Sequence, residues 1–344
     1  MTSSHSPAVW FPTIRAGTGS DVFTERLCKG LNESGIRAEI SWIPSRAEYA
    51  PATVPHVRPP AWANIAHVNS WLPRKYWPVN LPVVVTLHHL VHDPMYRPFR
   101  SFSQTIYHEL LIRPRESAAI MNADAVTTVS EYVKETITAF SKQKQVSVIY
   151  NWIDTNTFSP GVKQPRPGGD PFRIFMAGTH SRRKGVDLIP RFAQALGSAF
   201  EIRYAGGKNQ PKFSAANIVN LGRLSERQLI DEFQQCDAVA SLSRYEGFGY
   251  TALEAIACDK PFIGFRTSGL MEVVAEDNGT LVAINDIPAL ADAARALREK
   301  TPKCSIEAAL RRTQFLKRFS KSNIDDYIQI YTDLLIQKSG RSNA

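Results

Sequence analysis

Two glutamates with seven residues between them, Glu246 and Glu254, stand in the stretch SRYEGFGYTALEAIA that runs from Ser243 to Ala257. The preceding CDAVASLS is a run of small and β-branched residues at strand length, and good helix formers follow Tyr250, so the stretch reads as strand, loop, helix. Glu246 falls in the loop and Glu254 in the first turns of the helix. Gly247 and Gly249 let the backbone approach a ligand closely. The first amide N–H groups of the helix lack intrahelical partners, which suits an anion such as a phosphate lying against Phe248, Gly249 and Tyr250. A lone E-x-G pair at such a junction is ordinarily a solvated turn; the second carboxylate at this spacing shifts the reading toward a ligand site.

Three other clusters carry chemistry. Thr179-His-Ser-Arg-Arg-Lys-Gly185 follows the strand-like PFRIFMAG and precedes a helix, so Arg183 and Lys184 form a cationic pocket beside a helix N-terminus, where a pyrophosphate is well held. Thr86-Leu-His-His-Leu-Val-His-Asp93 ends the strand-like PVVVTLHH, and His88, His89, His92 and Asp93 all offer metal-ligand atoms. That spacing at a strand end does not impose ligand geometry, and isolated histidines in loops are ordinary polar residues. No D-x-D triplet occurs in the chain, so a divalent ion held by paired aspartates is not expected. Finally, Gly17 and Gly19 sit in a strand-to-helix turn after AVWFP, but the third glycine and the acidic partner of a dinucleotide fingerprint are missing.

In order along the chain, these clusters resemble retaining glycosyltransferases of the GT-B fold, most closely glycosyltransferase family 4. SRYEGFGYTALEA resembles the E-x7-E signature, ADAVTTVS and VIYNWIDTNTFSP resemble the segments that close the first domain, and Thr86 to His88 resembles a T-x-H strand end. The resemblance implies that Glu246 lies by the donor sugar hydroxyls, that Glu254 bonds the nucleotide ribose, and that His88 sits near the donor sugar in an interdomain cleft. It implies that Lys184 and Arg183 neutralise the diphosphate, as in the family's G-R-x(n)-K-G element. Thr179 stands where the first arginine usually lies, so Arg182 or Arg183 would supply that charge. Gly17 and Gly19 would border the acceptor side and the donor phosphates. Trp152 departs from the usual glycine after Asn151. The loop before Gly222 and Arg223 would border the base, and Thr267 to Leu270 the diphosphate or sugar.

The elements that must position these residues read as α/β. Short apolar runs without clean alternation, at IRAEISW, NIAHVNSW and PVVVTLHH, suggest parallel strands covered on both faces. With 344 residues the chain is long enough for two domains. The expected architecture is two Rossmann-like domains, 1–160 on the acceptor side and 171–320 for the nucleotide sugar, each with a parallel sheet. The linker GVKQPRPGGDP separates them, and a terminal helix over 321–344 crosses back, with Tyr327, Ile330, Tyr331 and Leu334 on one side. Between the first strands, PSRAEYAPATVPHVRPPAW is proline-rich and is expected to be irregular and mobile.

Lys and Arg exceed Asp and Glu by 41 to 32, a formal charge of +9 with a pI near 9.4, which favours anionic partners. Nucleotide sugars, anionic lipid or lipopolysaccharide acceptors and nucleic acid all fit that charge; the family resemblance selects the first two and no nucleic acid. Arg97, Arg100, Arg113 and Arg115 would form a basic patch that docks on an anionic membrane or a phosphorylated acceptor. The four cysteines are dispersed without ligand spacing, no signal-peptide pattern opens the chain and no run reaches a membrane span, so a cytoplasmic location with peripheral membrane contact is expected.

The implied reaction moves a hexosyl unit from a nucleoside-diphosphate sugar to a hydroxyl of a cell-envelope glycan or lipid-linked acceptor of lipopolysaccharide type, with retention and with neither metal nor other cofactor. Three competing readings stay open: a GT-B sugar-nucleotide epimerase, which needs no acceptor; a nicotinamide-dependent oxidoreductase, which must bind NAD at the Gly17 turn; and a non-enzymatic protein that binds anionic glycans.

Overall fold

The computed structural model describes residues 6–17, 19–141, 145–162, 169–179, 181–207, 212–299 and 306–342. Its chain forms two compact units, one of Met1–Asp93, Ser101–Asn151 and Lys321–Ala344, the other of Pro94–Arg100 and Trp152–Ser320. Most of the expected linker, residues 163–168, lies outside the described residues.

In the first unit the elements run β1 (Ala8–Ile14), α1 (Gly19–Glu33), β2 (Arg37–Ile43), β3 (Ile65–Asn69), β4 (Val83–Leu87), α2 (Phe102–Tyr107), α3 (Arg113–Asn122), β5 (Ala125–Thr128), α4 (Glu131–Phe140) and β6 (Val146–Val148). A single π-helical turn, His108–Ile112, joins α2 to α3. The six strands form one sheet in the order β2-β1-β3-β4-β5-β6, all parallel. Strands β3 and β4 are buried at every position, as expected when both faces are covered. Helix α1 stops before Gly35, whose φ of 78° only glycine adopts cheaply, and Ser130 caps α4 by accepting from Val133 N.

The ladder between β1 and β3 covers only Val9–Ile65 and Trp10–Ala66. Just beyond lies Pro12, which has no N–H to continue it. The carboxyl ends of these two strands are bridged by side chains instead: Asn69 Nδ2 donates to Thr13 Oγ1 at 2.6 Å.

The second unit contains β7 (Phe172–Ala177), α5 (Ile189–Leu196), β8 (Phe200–Ala205), β9 (Ile218–Gly222), α6 (Glu226–Gln235), β10 (Ala238–Ser241), α7 (Tyr250–Ala257), β11 (Phe262–Phe265), α8 (Leu270–Val273), β12 (Gly279–Val282), α9 (Ile287–Glu299) and α10 (Ile306–Lys317). Its parallel sheet runs β12-β11-β10-β7-β8-β9. Ile174, Phe192, Ile202, Ile263, Phe265 and Leu290 are fully buried in its core. Both sheets reverse their strand order once, between β1 and β3 in one and between β7 and β10 in the other. In open parallel sheets a ligand binds outside the carboxyl ends of the strands at such a switch point.

The last helix, α11 (Asn323–Ser342), belongs to the first unit. Its buried side is Ile324, Tyr327, Tyr331 and Leu335, with Ile330 and Leu334 only half-buried, so the seam is rotated from the expected one. Tyr331 reaches His67 Nδ1 at 2.6 Å, His67 Nε2 meets Thr86 Oγ1 at 2.8 Å, and Thr86 meets Thr127 Oγ1 at 2.6 Å. Because Thr127 donates to the Val85 carbonyl, the chain has one consistent direction: Tyr331 O–H donates to His67, His67 N–H to Thr86, and Thr86 O–H to Thr127.

One expectation needs correction. The proline-rich connection after β2 holds two short 3₁₀ turns, Ser45–Glu48 and Pro51–Thr53, and buries Ala47 and Val54 in the core. Lys75 Nζ donates to the Pro51 and Val54 carbonyls at 2.9 and 2.7 Å, so the segment is tied down. Of the four arginines expected to form a basic patch, Arg97 is exposed and Arg100 is buried beside the Tyr96 ring in one unit, while in the other Arg113 is exposed and pairs with Glu109 at 2.8 Å and Arg115 is half-buried near Glu48 and Tyr107. The segment also exposes apolar side chains: Phe102, Ile106 and Leu110, one helical turn apart, are 83%, 46% and 75% exposed. Among the described residues, no helix is long and apolar enough to cross a membrane.

Candidate functional site

The loop after β7 and the loop after β10 meet at the switch point of the second sheet. What lets them meet is Gly185, which has a φ of 66° and precedes the turn leading into α5. A Cβ there would lie 2.0 Å from the Leu242 carbonyl oxygen, so only glycine admits the contact. The two loops are then laced by backbone and guanidinium. Arg244 N donates to the Arg183 carbonyl at 2.8 Å, and Arg183 Nη1 donates to the Tyr245 carbonyl at 3.1 Å. Buried Arg244 holds Asp187 through two parallel bonds of 2.7 and 2.8 Å, and also donates to Asn285 Oδ1 and the Arg182 carbonyl.

This lacing places Lys184 and Arg183 on Glu246. Lys184 Nζ donates to Glu246 Oε1, and Arg183 Nη1 lies 3.6 Å from Oε2. All three side chains are largely but not wholly covered, with Glu246 12% exposed. Burial lowers the Lys184 ammonium pKa below the ordinary lysine value against the opposing pull of Glu246. For Glu246 burial acts the other way, but Lys184 and Arg183 outweigh it and hold the carboxyl below the usual range, so it is ionised at neutral pH. Glu254, one turn into α7, is 9% exposed and close enough for its charge to act on Lys184. The result is a compact patch of two cations and two carboxylates, beside the start of α7.

A third loop supports Glu246 from behind. Ser268 Oγ accepts from Glu246 N at 2.8 Å and donates to the Glu246 carbonyl at 2.6 Å, and Thr267 donates to the Arg244 carbonyl at 2.7 Å. A Cβ at Gly269 would sit 2.2 Å from the Gly247 carbonyl oxygen, so glycine is required where these loops cross, and at Gly249 the φ of 111° disfavours any residue with a side chain. Thr267 and Ser268 are thus buried supports of the Glu246 backbone. Phe248 turns its ring into the core against Phe319, at 5.6 Å between centroids, and can face a ligand only through its backbone. Gly249 carries a φ of 111° immediately before α7, and Tyr250 is half-buried. Gly222 and Arg223 are exposed at the end of β9, two strands from β7. The pairing of Arg244 with Asp187 and the support of Glu246 by Ser268 were not foreseen in the sequence, where Arg244 stands between Ser243 and Tyr245 with no local sign of burial.

The remaining expected site residues belong to the first unit. His88 follows β4, meets Phe23 edge-on at 4.7 Å, and is held neutral at pH 7 because burial lowers its pKa to about 4. Gly17 has a φ of 69° in the turn before α1. The Ala16 and Gly17 amides there donate to the Asp21 carboxylate at 3.0 and 2.7 Å, so these two amides are already engaged. Gly19 opens α1 with open space where a side chain would point. The histidine-rich loop gathers no metal site. Asp93 accepts from the Tyr132 hydroxyl at 2.8 Å, His92 lies 3.8 Å from the buried Glu116, and among the described residues no group of three or more His, Cys, Asp or Glu side chains could hold a metal ion.

Comparison with known proteins fits this geometry. Residues 162–306 match the family Glycosyl transferases group 1, and residues 56–157 match Glycosyltransferase Family 4. An uncharacterised glycosyltransferase of Methanocaldococcus jannaschii is 28% identical over 215 residues, 59% of this chain and 57% of the relative. The lipopolysaccharide core biosynthesis mannosyltransferase LpsB of Rhizobium meliloti is 27% identical over 187 residues, 47% of this chain and 53% of the relative. The matched region therefore spans little more than half the length of these curated relatives. The crystal structure of Anabaena HepE in complex with UDP and glucose superimposes with a TM-score of 0.68 at 18% identity, covering 94% of this chain and 98% of that one.

Proposed function

We propose that this chain, which carries two glycosyltransferase domains in series on the GT-B fold, is a retaining hexosyltransferase that uses a nucleoside-diphosphate sugar. The observation that carries the reading is the patch of Lys184, Arg183 and Glu246 at the β7/β10 switch point. Lys184 and Arg183 meet the donor diphosphate together with the amides near Phe248, Gly249 and Tyr250. Glu246 accepts from the sugar hydroxyls, and Glu254 from the ribose. His88, a neutral imidazole, is the first unit's contribution beside the donor sugar, with Gly17 and Gly19 bordering the acceptor side.

In the reaction the bond between the sugar C1 and the diphosphate oxygen breaks while the acceptor oxygen bonds to C1 on the same face. The acceptor's proton passes to the departing phosphate oxygen. Negative charge grows on that phosphate as it leaves, and fixed cations in a mostly covered site stabilise it by several kcal/mol without reorganising. No divalent ion is required in this scheme, because Lys184 and Arg183 take that electrostatic role. The similarity to a lipopolysaccharide core mannosyltransferase supports a cell-envelope glycan or lipid-linked acceptor, and the apolar ridge of Phe102, Ile106 and Leu110 is the surface for peripheral contact with the membrane that holds it. A cytoplasmic location belongs to the same proposal.

A thermal-shift screen with UDP, GDP, ADP and their sugars identifies the donor base, since a bound nucleotide raises the melting temperature. With the stabilising donor, proton NMR of the product should show the anomeric configuration of the donor retained. Glu246→Ala should abolish transfer and leave the far-UV circular dichroism unchanged. Inversion at C1, full activity in Glu246→Ala, or conversion of the donor to an epimer without acceptor would each rule the proposal out.

A further inference from the structure

The switch point of the first sheet also has the features of a binding crevice. It lies between the carboxyl ends of β1 and β3, where the ladder has stopped before Pro12, and it encloses a cavity of about 10 Å³, room for one water-sized group. Asn69 and Thr13 are among its lining residues. Asn69 is 92% buried, and its Nδ2 is committed to Thr13 while its Oδ1 has no hydrogen-bond partner. Whichever way the amide is turned, one polar atom meets Thr13 and the other is left over at the cavity. A buried amide oxygen in this condition is uncommon, and a ligand hydroxyl would satisfy it.

The walls select the kind of ligand. Phe23, His67, Thr86 and His88 also line the cavity, and none of its lining residues carries a carboxylate, ammonium or guanidinium. Both histidines are neutral at pH 7, since burial holds their pKa values to about 3 and about 4. An anion would find no countercharge there and would forfeit its hydration. A hydroxyl would find an acceptor at Asn69, while the Thr13 hydroxyl can donate to its oxygen.

We propose that this crevice is a subsite for one hydroxyl of an uncharged polyhydroxyl acceptor, with Asn69 and Thr13 as its hydrogen-bonding pair. The inference rests on the reading of the Lys184–Glu246 patch as the donor site. It adds that the portion of the acceptor seated here is neutral sugar, even though the chain as a whole is basic.

Saturation-transfer NMR tests it, with the methyl α-glycosides of glucose, galactose and mannose as neutral probes and galacturonate and mannose 6-phosphate as anionic ones. Measurements are made with the stabilising nucleoside diphosphate present and repeated without it. The wild type should bind at least one neutral glycoside and neither anion. Asn69→Ala and Thr13→Val should each weaken that binding about tenfold, the worth of one neutral hydrogen bond, while nucleotide affinity stays unchanged and Thr13→Ser retains binding. Thr13→Val keeps the side-chain shape, so the test survives if Asn69→Ala fails to fold. Absence of binding by every neutral glycoside, preference for an anionic probe, or unchanged binding in a folded variant would overturn the subsite. Failure of every nucleotide to bind would instead remove the donor reading, leaving the glycoside result to judge the crevice.

Discussion

Gly185→Ala is the sharpest perturbation of the laced loops, because it adds one methyl group where the packing has no room. The new Cβ would lie 2.0 Å from the Leu242 carbonyl oxygen and 2.7 Å from its carbon, at a φ of 66°. Leu242 is buried, so relief must come from moving backbone apart by about 1 Å, and such overpacking costs about 1–3 kcal/mol. The left-handed conformation of a residue with a Cβ adds about 1–2 kcal/mol. A total of about 2–5 kcal/mol corresponds to a fall of roughly 5–15 °C in the melting temperature of a unit this size. Lys184 precedes Gly185, so the same displacement moves the ammonium from its place, and a misplacement near 1 Å costs on the order of 100-fold in catalysis. Differential scanning calorimetry and nucleotide titration read both effects. A melting temperature within about 1 °C of wild type, with unchanged nucleotide affinity, would refute the claim that the close approach at Gly185 builds the site.

Two further predictions follow from charge. Buried His67 is neutral in the folded chain down to about pH 3, whereas unfolded histidine titrates at 6.5. As pH falls below 6.5 the unfolded state takes up the proton and the folded state does not, so stability is lost by up to about 1.4 kcal/mol per pH unit until the folded pKa is reached. His67→Gln should flatten the fall of melting temperature between pH 6.5 and 4, and equal slopes in the two proteins would count against a neutral His67. Transfer assayed with excess EDTA should match transfer with magnesium present, and loss of activity on chelation would show that Lys184 and Arg183 do not suffice for the leaving diphosphate.

Sequence pattern made the α/β architecture and the individual motifs legible, because buried parallel strands and strand-to-helix turns leave local signatures in apolar runs and glycines. It placed Glu246 and Lys184 each in a loop after a strand. Their contact across 62 residues depends on β10 lying beside β7, which is a property of strand order. The burial of Arg100 was hidden for a related reason: whether it is solvated or lies buried beside Tyr96 is decided by tertiary packing, and its neighbours in sequence do not record it. Asp21 closing the Gly17 turn was within reach of a local reading, being four residues away with a side chain suited to backbone amides. The hydroxyl chain through His67 joins residues as far apart as 264 positions and had no local sign.

Calorimetric titration of UDP, GDP and ADP into the wild type and Lys184→Ala tests the central claim most directly. At least one nucleotide should bind the wild type, and the variant should lose about 10- to 100-fold in affinity, in keeping with about 1.5–3 kcal/mol for a hydrogen bond to a charged group. Binding of equal strength in both proteins would contradict the account, because the diphosphate would then rest somewhere other than the crevice between β7 and β10.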